Sequence, residues 1–199
     1  MEARILLSAA VVVGGAALLA GHAGFEWAAT GAGMGPAICA EAPEPGPIAG
    51  VSFVAPRRPM GPEIMDPLRR VEATWVGVLP YGFIDPAGDR IRFNVDRQWW
   101  GETVEGTTAQ IRFARERGLK VMVKPHVWVR GSGWTGDSLP DNGEDRLRWE
   151  GSYRDYILTF AEVAEAAGAD LFVVGTELDL WAREHPEFWR DLIRQVRNV

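Results

Sequence analysis

From residue 50 onward, short apolar runs alternate with longer amphipathic segments, and this alternation limits the folds open to the chain more than any other feature. The apolar runs are rich in Val and Leu and predict four strands, at residues 51–54, 74–79, 120–123 and 171–174. A segment with helical spacing of apolar residues follows each strand, at residues 64–71, 107–117, 153–167 and 186–196. Strands that alternate with helices in this way predict an α/β fold with a parallel sheet.

Two α/β architectures fit such a pattern. A doubly wound nucleotide-binding fold needs a strand that leads directly through a glycine-rich phosphate turn into its helix, and none of the four predicted strands does so. The other architecture is the (β/α)8 barrel, in which functional side chains collect at the carboxyl ends of the strands. We therefore predict a partial (β/α)8 (TIM) barrel of about four βα units over residues 50–199.

The first 49 residues have a different composition. Arg4 precedes an apolar run at residues 5–20, which is followed by small residues, and this order is typical of a secretory signal peptide. An uncleaved membrane anchor is the alternative. Residues 24–49 are rich in Ala, Gly and Pro and predict a disordered linker. We expect a signal peptide or membrane anchor at residues 1–23, a linker at 24–49, and a domain that is exported to the periplasm, cell surface or medium.

Charge and cysteine content exclude several classes of function. The net charge is -6 and the sequence has no basic stripe, so we expect no nucleic-acid partner. The single cysteine, Cys39, cannot form an internal disulfide bond. His126 has no histidine or carboxylate at metal-ligand spacing, and His22 and His185 lie in the predicted leader and in a loop before a helix, so we expect neither a metal nor a cofactor.

The third predicted strand continues into polar residues. Lys124, His126 and Trp128 alternate with Pro125 and Val127, so the first three point to one face. A cation, an imidazole and a flat aromatic ring in one row can hydrogen-bond hydroxyl groups and stack on a sugar ring. The alternative is that Lys124 pairs with a structural acid and that His126 belongs to the core.

Glu177 is the main candidate for a catalytic residue. It follows the fourth predicted strand and Gly175, in line with Val173, which places it at the barrel mouth. A partly desolvated carboxyl group in that position is suited to proton donation. The alternative is a structural ion pair with Lys124 on the adjacent strand.

Nine tryptophans are many for 199 residues, and several aromatic residues fall at predicted strand ends or in the loops that follow. Sugar-stacking side chains of this kind are Tyr81, Trp99, Trp100, Trp128, Trp134 and Trp181. The alternative is packing, which we expect for Trp75, Trp149 and Trp189 and for about half of the other aromatic residues in that group.

With these residues together, the chain resembles the (β/α)-barrel glycoside hydrolases, and among them the β-mannanase-like glycoside hydrolase family 113. The resemblance covers most of residues 50–199 and rests on the order and spacing of five segments: WGET (100–103), GLKVMVKPHVW (118–128), WTG (134–136), GTEL (175–178) and FWRDLI (188–193). It implies a retaining hydrolase of β-linked mannans with Glu177 as the general acid/base. It also implies that Lys124, His126 and Trp128 line the sugar site near the cleaved bond.

The resemblance leaves one part of the mechanism without a residue. Retaining hydrolysis needs a second carboxylate as nucleophile, about 5 to 5.5 Å from the first, and in the family it comes from a later strand. We interpret Asp85, Asp89 and Asp96, which follow the second predicted strand, as solvated loop charges rather than substitutes. We therefore expect a truncated barrel that is inactive alone. The alternative is a half-barrel that pairs with a second copy or with a separately encoded complementing half.

Two other functions remain open. One is a non-catalytic carbohydrate-binding or assembly module that keeps the aromatic cleft. The other is a hydrolase of different specificity, which would act on glucan rather than mannan.

Overall fold

The computed structural model describes residues 4–5, 48–85, 88–129, 140 and 142–199. The predicted leader beyond Arg4–Ile5 and the predicted linker up to residue 47 lie outside the described residues, as do Cys39 and Trp134. None of the helices in the described ranges combines the length and the apolar surface that a membrane span needs.

The secondary structure consists of eight strands and five α-helices in the described residues. The strands are β1 (Arg4–Ile5), β2 (Gly50–Phe53), β3 (Trp75–Val78), β4 (Tyr81–Ile84), β5 (Ile91–Arg92), β6 (Lys120–Val123), β7 (His126–Trp128) and β8 (Leu171–Phe172). The helices are α1 (Asp66–Arg70), α2 (Val104–Glu116), α3 (Gly143–Ala167), α4 (Asp179–Glu184) and α5 (Pro186–Val196). Short 3-10 turns lie at Pro62–Met65 and Trp100–Glu102.

Five strands form one parallel sheet in the order β1-β8-β6-β3-β2. Within this sheet β2, β3, β6 and β8 lie side by side in the order in which they occur along the chain. At least one helix follows each of them. The predicted α/β fold with a parallel sheet is therefore confirmed. The centre of this sheet is buried, because the side chains of four of its valines have no exposed surface: Val76, Val78, Val121 and Val123.

A second, smaller sheet has the order β5-β4-β7 and was not predicted from the sequence. Its strands β4 and β7 continue β3 and β6 in unchanged register, because Trp75 pairs with Lys120 and Tyr81 with His126 at the same offset of 45 residues. By this offset Pro80 faces Pro125 at the break between the two sheets. Neither proline has an N–H group to donate, so the ladder of hydrogen bonds is interrupted there.

The hairpin of β4 and β5 also corrects the interpretation of two acids as solvated loop charges. The side chain of Asp85 is only 8% exposed and lies 3.9 Å from Arg92. Asp89 accepts a hydrogen bond of 2.6 Å from Nε of Arg148 on α3. Both acids hold the segment after β3 in place.

Helix α3 contributes many of the buried side chains of the core. It begins earlier than the predicted residue 153, because the Asn142 side chain caps it by accepting from the N–H of Asp145. It ends at Gly168, whose φ of 81° is the predicted left-handed cap. One face of α3 is fully packed and includes Trp149, Tyr153, Tyr156, Ile157 and Phe160.

Candidate functional site

Three polar side chains meet where the parallel strands end. Tyr81 on β4 and His126 on β7 are register partners, and their rings stack with centroids 5.6 Å apart and an interplanar angle of 22°. Glu177, in the turn after β8, places its Oε2 3.4 Å from Nε2 of His126. The structure thus pairs Glu177 with a residue of the predicted polar row.

The turn that carries Glu177 is fixed on both sides. Gly175 packs so closely against Trp189 that a Cβ atom there would lie 2.7 Å from the indole ring. Glu177 itself has a φ of 57°, in the left-handed region that residues other than glycine rarely adopt. The side chain of Glu177 is 41% exposed whereas that of His126 is 15% exposed, so the carboxylate stands at the edge of the site.

His126 sits in a mixed electrostatic environment. Burial lowers the pKa of His126 below its ordinary value and outweighs the opposing effect of the Glu177 carboxylate. The positive charge of Lys124 lowers the pKa further. A neutral imidazole at neutral pH can donate one hydrogen bond to Glu177 without forming an ion pair.

Two buried tyrosines of α3 hold the backbone beneath these groups. The hydroxyl of Tyr156 donates to the carbonyl of Pro80 at 2.7 Å and lies 3.3 Å from the carbonyl of His126. The hydroxyl of Tyr153 donates to the carbonyl of Val174 at 2.9 Å. One helix therefore positions both the Tyr81–His126 pair and the turn before Glu177.

The remaining members of the predicted row lie on the same face. Lys124 and His126 are half-buried and Trp128 is 54% exposed, while Pro125 and Val127 between them are buried. The ring of Trp128 stands edge-on to Tyr81 at 6.4 Å between centroids. The alternation read from the sequence thus places three side chains on one face, and His126 among them contacts Glu177.

Trp181 does not join this group, in contrast to its interpretation as a sugar-stacking residue. It is 1% exposed and packs against Trp149 at 4.2 Å and His185 at 4.9 Å between ring centroids. The reason is that α4 begins directly after the Glu177 turn and directs this ring back into the core. Trp149 and Trp189 are also buried, as expected.

Sequence reasoning missed Glu102 as a candidate. It is 7% exposed, and it lines a cleft of about 1230 Å³ together with Tyr81, Trp99 and Trp128. Burial raises the pKa of Glu102, against the effect of a hydrogen bond from Gln98. Burial also raises the pKa of Tyr81, with smaller contributions from Glu102 and Glu177. The only signal in the sequence was the position of Glu102 inside the WGET segment.

This arrangement is suited to an uncharged, hydroxyl-rich ligand. Exposed aromatic faces bind the apolar faces of sugar rings, and Glu177, His126 and Lys124 supply hydrogen-bonding groups next to them. In the part of the chain that the structure describes, no three His, Cys, Asp or Glu side chains gather closely enough to bind a metal ion.

Comparison with known proteins points to one family. The model of Glycoside Hydrolase Family 113 matches residues 58–199. A search of curated proteins finds no match.

Solved structures give the same result. The family 113 β-mannanase of Alicyclobacillus acidocaldarius, solved in complex with ManMIm, is 27% identical with a TM-score of 0.66, and the match covers 76% of this chain and 51% of that one. A complex of a family 113 β-1,4-mannanase is 25% identical with a TM-score of 0.64, and the match covers 76% and 52%. The chain thus spans about half the length of the solved mannanases that it matches.

Proposed function

Because the chain belongs to glycoside hydrolase family 113, we propose that it binds β-linked, mannan-type polysaccharide and that Glu177 is the general acid/base of a retaining hydrolase. The observation that supports this most directly is the contact of 3.4 Å between Glu177 and His126 beside the exposed ring of Trp128. Lys124, His126, Trp128 and Tyr81 bind the sugar next to the scissile bond. On the family resemblance, we assign sugar binding to Trp134 as well.

In this mechanism Glu177 protonates the glycosidic oxygen as the leaving sugar departs, and later removes a proton from the attacking water. His126 donates a hydrogen bond to Glu177 and so orients the carboxyl group. The nucleophile is a second carboxylate, which we assign to a segment equivalent to the part of the solved mannanases that this chain does not match. The chain alone is then expected to bind glycan without turning it over.

Binding of β-1,4-mannohexaose to the chain, measured by calorimetry, is the first test. Wild-type protein and Glu177→Gln are expected to bind with similar affinity, because an amide keeps the shape of the carboxyl group. The matched control is Glu187→Gln, since Glu187 is also exposed and lies 3.8 Å from a histidine, His185. Failure of the wild-type protein to bind mannohexaose would contradict the proposal.

Turnover is the second test, with the chain fused to the unmatched half of the Alicyclobacillus acidocaldarius enzyme. We expect the fusion to hydrolyse mannohexaose and Glu177→Gln to slow it by roughly 10²- to 10⁴-fold, the usual contribution of a general acid/base. Glu187→Gln should be unaffected. If the chain is a non-catalytic binding module, the fusion should bind glycan equally well with Glu177 or with Gln at this position, and neither protein should hydrolyse it. Hydrolysis of a glucan in place of mannan would change the substrate assignment alone.

We also propose that residues 1–23 direct export or anchor the chain in a membrane and that residues 24–49 form a linker. The support is the composition of these segments. A fusion of residues 1–49 to a reporter that is active only outside the cytoplasm tests this, and mass spectrometry of the recovered amino terminus separates cleavage from anchoring. Reporter activity equal to that of a fusion without the apolar run would contradict it.

The partner we propose is a second copy of the chain or a complementing half-barrel. Its support is β2, which within the described residues has a neighbouring strand on one side only, and whose Val51 and Val54 are exposed.

A further inference from the structure

Tyr81, the first residue of β4, has a backbone carbonyl that the neighbouring strands do not reach. On one side β4 pairs with β7, and there the carbonyl of Pro80 accepts from the N–H of His126 at 3.1 Å. Because successive carbonyl groups of a strand point to opposite sides, the carbonyl of Tyr81 faces the side of β5. The pairing of β5 with β4 begins at Phe83, beyond Tyr81.

The side chain of Gln98 takes the place of a longer β5 strand. Its Nε2 donates to the carbonyl of Tyr81 at 2.7 Å, and its Oε1 accepts from the N–H of Val95 at 3.2 Å. The chain turns back to make these contacts through two residues with positive φ, Asn94 at 50° and Arg97 at 66°. A backbone conformation that is unfavourable twice within four residues persists only where the surrounding contacts hold it.

The polar groups of the Gln98 side chain are engaged within the protein, although this residue lines the cleft of about 1230 Å³. Burial raises the pKa of Glu102, and a hydrogen bond from Gln98 opposes this effect. The amide therefore donates to this carboxyl group as well as to the carbonyl of Tyr81. Both N–H groups and the oxygen of the amide then have partners, so Gln98 holds the chain rather than a ligand.

The position of Tyr81 matters to the candidate site because its ring covers His126. The two rings stack with centroids 5.6 Å apart, and Nε2 of His126 lies 3.4 Å from Oε2 of Glu177. The side chain of His126 is only 15% exposed, and the stacked ring shields one face of it from solvent. A displacement of Tyr81 therefore changes the surroundings of the imidazole that contacts Glu177.

We propose that Gln98 is a positioning residue for the reaction at Glu177, and that it acts through Tyr81, which it holds against His126. This inference rests on the proposed function, because the reaction at Glu177 is itself a proposal. It adds a residue outside the predicted polar row, whose influence passes through one backbone carbonyl and one ring stack.

The first experiment is an NMR titration of His126 in the 199-residue chain, whose imidazole resonances are assigned by their loss in His126→Gln. Gln98→Met keeps the length of the side chain but removes the donor. We expect it to shift these resonances and to raise the pKa of His126 toward its ordinary value of 6.5, because burial lowers this pKa and the Tyr81 ring no longer covers the imidazole. Gln195→Met is the matched control, since Gln195 donates to Asp191 within α5. It should change neither quantity.

A double substitution separates the two donor bonds of Gln98. Gln98→Glu combined with Glu102→Gln keeps the net charge and a hydrogen bond between positions 98 and 102, but it places an acceptor against the carbonyl of Tyr81. It should shift the His126 resonances as Gln98→Met does, whereas Glu102→Gln alone should leave them nearly unchanged. Wild-type resonances in the double variant would overturn the link through Tyr81. Lys124 and Glu177, the charged groups that act on His126, are the same in all of these proteins.

The second experiment measures turnover in the fusion to the unmatched half of the Alicyclobacillus acidocaldarius enzyme. Gln98→Met should lower kcat about threefold to tenfold with little change in KM, because the partner that orients Glu177 is displaced while the sugar-binding side chains remain. A raised KM with unchanged His126 resonances would show that Gln98 contacts the ligand, and would overturn the inference.

Circular dichroism shows whether each variant is folded. Gln98→Asn, whose shorter amide does not reach the carbonyl of Tyr81, provides the same test if Gln98→Met does not fold. Unchanged His126 resonances in either folded variant would overturn the inference and leave the proposed function intact. Failure of the wild-type fusion to bind or hydrolyse mannohexaose would overturn the two together.

Discussion

Glu177 combines a candidate catalytic side chain with an unfavourable backbone conformation. Its φ of 57° costs roughly 1 to 3 kcal/mol in a residue other than glycine. The turn is nevertheless held by the tight packing of Gly175 on Trp189 and by the bond from Tyr153 to Val174. The local geometry around the carboxylate is thus maintained by its surroundings.

The strain at this position predicts different stabilities for two truncations of the side chain. Glu177→Gly should be more stable than Glu177→Ala by about 1 kcal/mol, although glycine loses more entropy on folding, because only glycine adopts this φ without cost. Urea denaturation of the two variants measures the difference. Equal stability would mean that the turn relaxes to another conformation when the side chain is removed.

Replacement of Glu102 by a neutral side chain should stabilise the folded protein, and the size of this effect should depend on pH. Because burial raises the pKa of Glu102 above its ordinary value of 4.5, the folded protein gains stability from this group at low pH and loses it as pH rises through that raised pKa. Glu102→Gln should therefore unfold at a higher temperature than wild type at pH 7, and the difference should shrink below about pH 4.

Glu105→Gln, at an exposed position one turn along the chain, is the control for this measurement. It should shift the unfolding temperature little at either pH. A Glu102→Gln variant that is less stable than wild type at pH 7 would indicate that the carboxylate makes a stabilising contact in its charged form.

Single residues were predicted from the sequence to different extents. The contact of Glu177 with the row that contains His126 follows from rules that hold locally, namely alternation along a strand and the position after an apolar run. Glu102 obeys no such rule, because it precedes the helix cap Thr103 and its burial depends on distant segments. Trp181 was misjudged because burial of an aromatic ring is decided by the direction of the helix that carries it.

At the scale of elements, the two tyrosines of α3 predict separable effects. Tyr156→Phe should cost about 1 to 3 kcal/mol of stability, because the buried carbonyls of Pro80 and His126 lose the hydroxyl of Tyr156, although that of Pro80 keeps a backbone donor, the N–H of His126. It should also shift the His126 imidazole resonance and its titration in NMR spectra, since the strand that carries the ring is released.

Tyr153→Phe is the matched control on the same helix. It should cost a similar amount of stability, because the carbonyl of Val174 loses its donor. Its effect on the imidazole resonance of His126 should be clearly smaller. Identical shifts in both variants would contradict separate positioning of the two segments.

The elements themselves were predicted best where one face is buried. Strands β3 and β6 each have two fully buried valines at alternating positions and were found from the sequence, as were α2 and α5. The β4–β5 hairpin was missed because β4 begins directly after Pro80, which ends the apolar run predicted as a strand at residues 74–79. Alternation of Tyr81 and Phe83 with Gly82 and Ile84, followed by a Pro- and Gly-containing turn, was an available signal.

At the scale of the whole molecule, the open side of β2 has a testable consequence. A parallel sheet is normally buried on both faces and at its edges, and Val51 on β2 is 37% exposed. If this edge mediates the proposed self-association, the mass of wild-type protein should rise with concentration, whereas Val51→Lys should stay monomeric because a charged side chain on an edge strand opposes pairing.

Sedimentation velocity across a range of concentrations checks this expectation. Val71→Lys is the control, because Val71 is 64% exposed but lies after α1 rather than on the edge strand. Wild-type protein that remains monomeric at all concentrations would leave the complementing half-barrel as the proposed partner. Association that is abolished equally by both substitutions would contradict a role for β2.

The spacing of Tyr153 and Tyr156 along α3 fixes the relative positions of the two backbone segments that their hydroxyl groups hold. Three helical positions correspond to a rise of roughly 4.5 Å, and one inserted residue between them would rotate the second hydroxyl by about 100°. Insertions and deletions in the gene should therefore be tolerated in the surface loops but eliminated within this interval, where even a single added codon would disconnect the two halves of the candidate site.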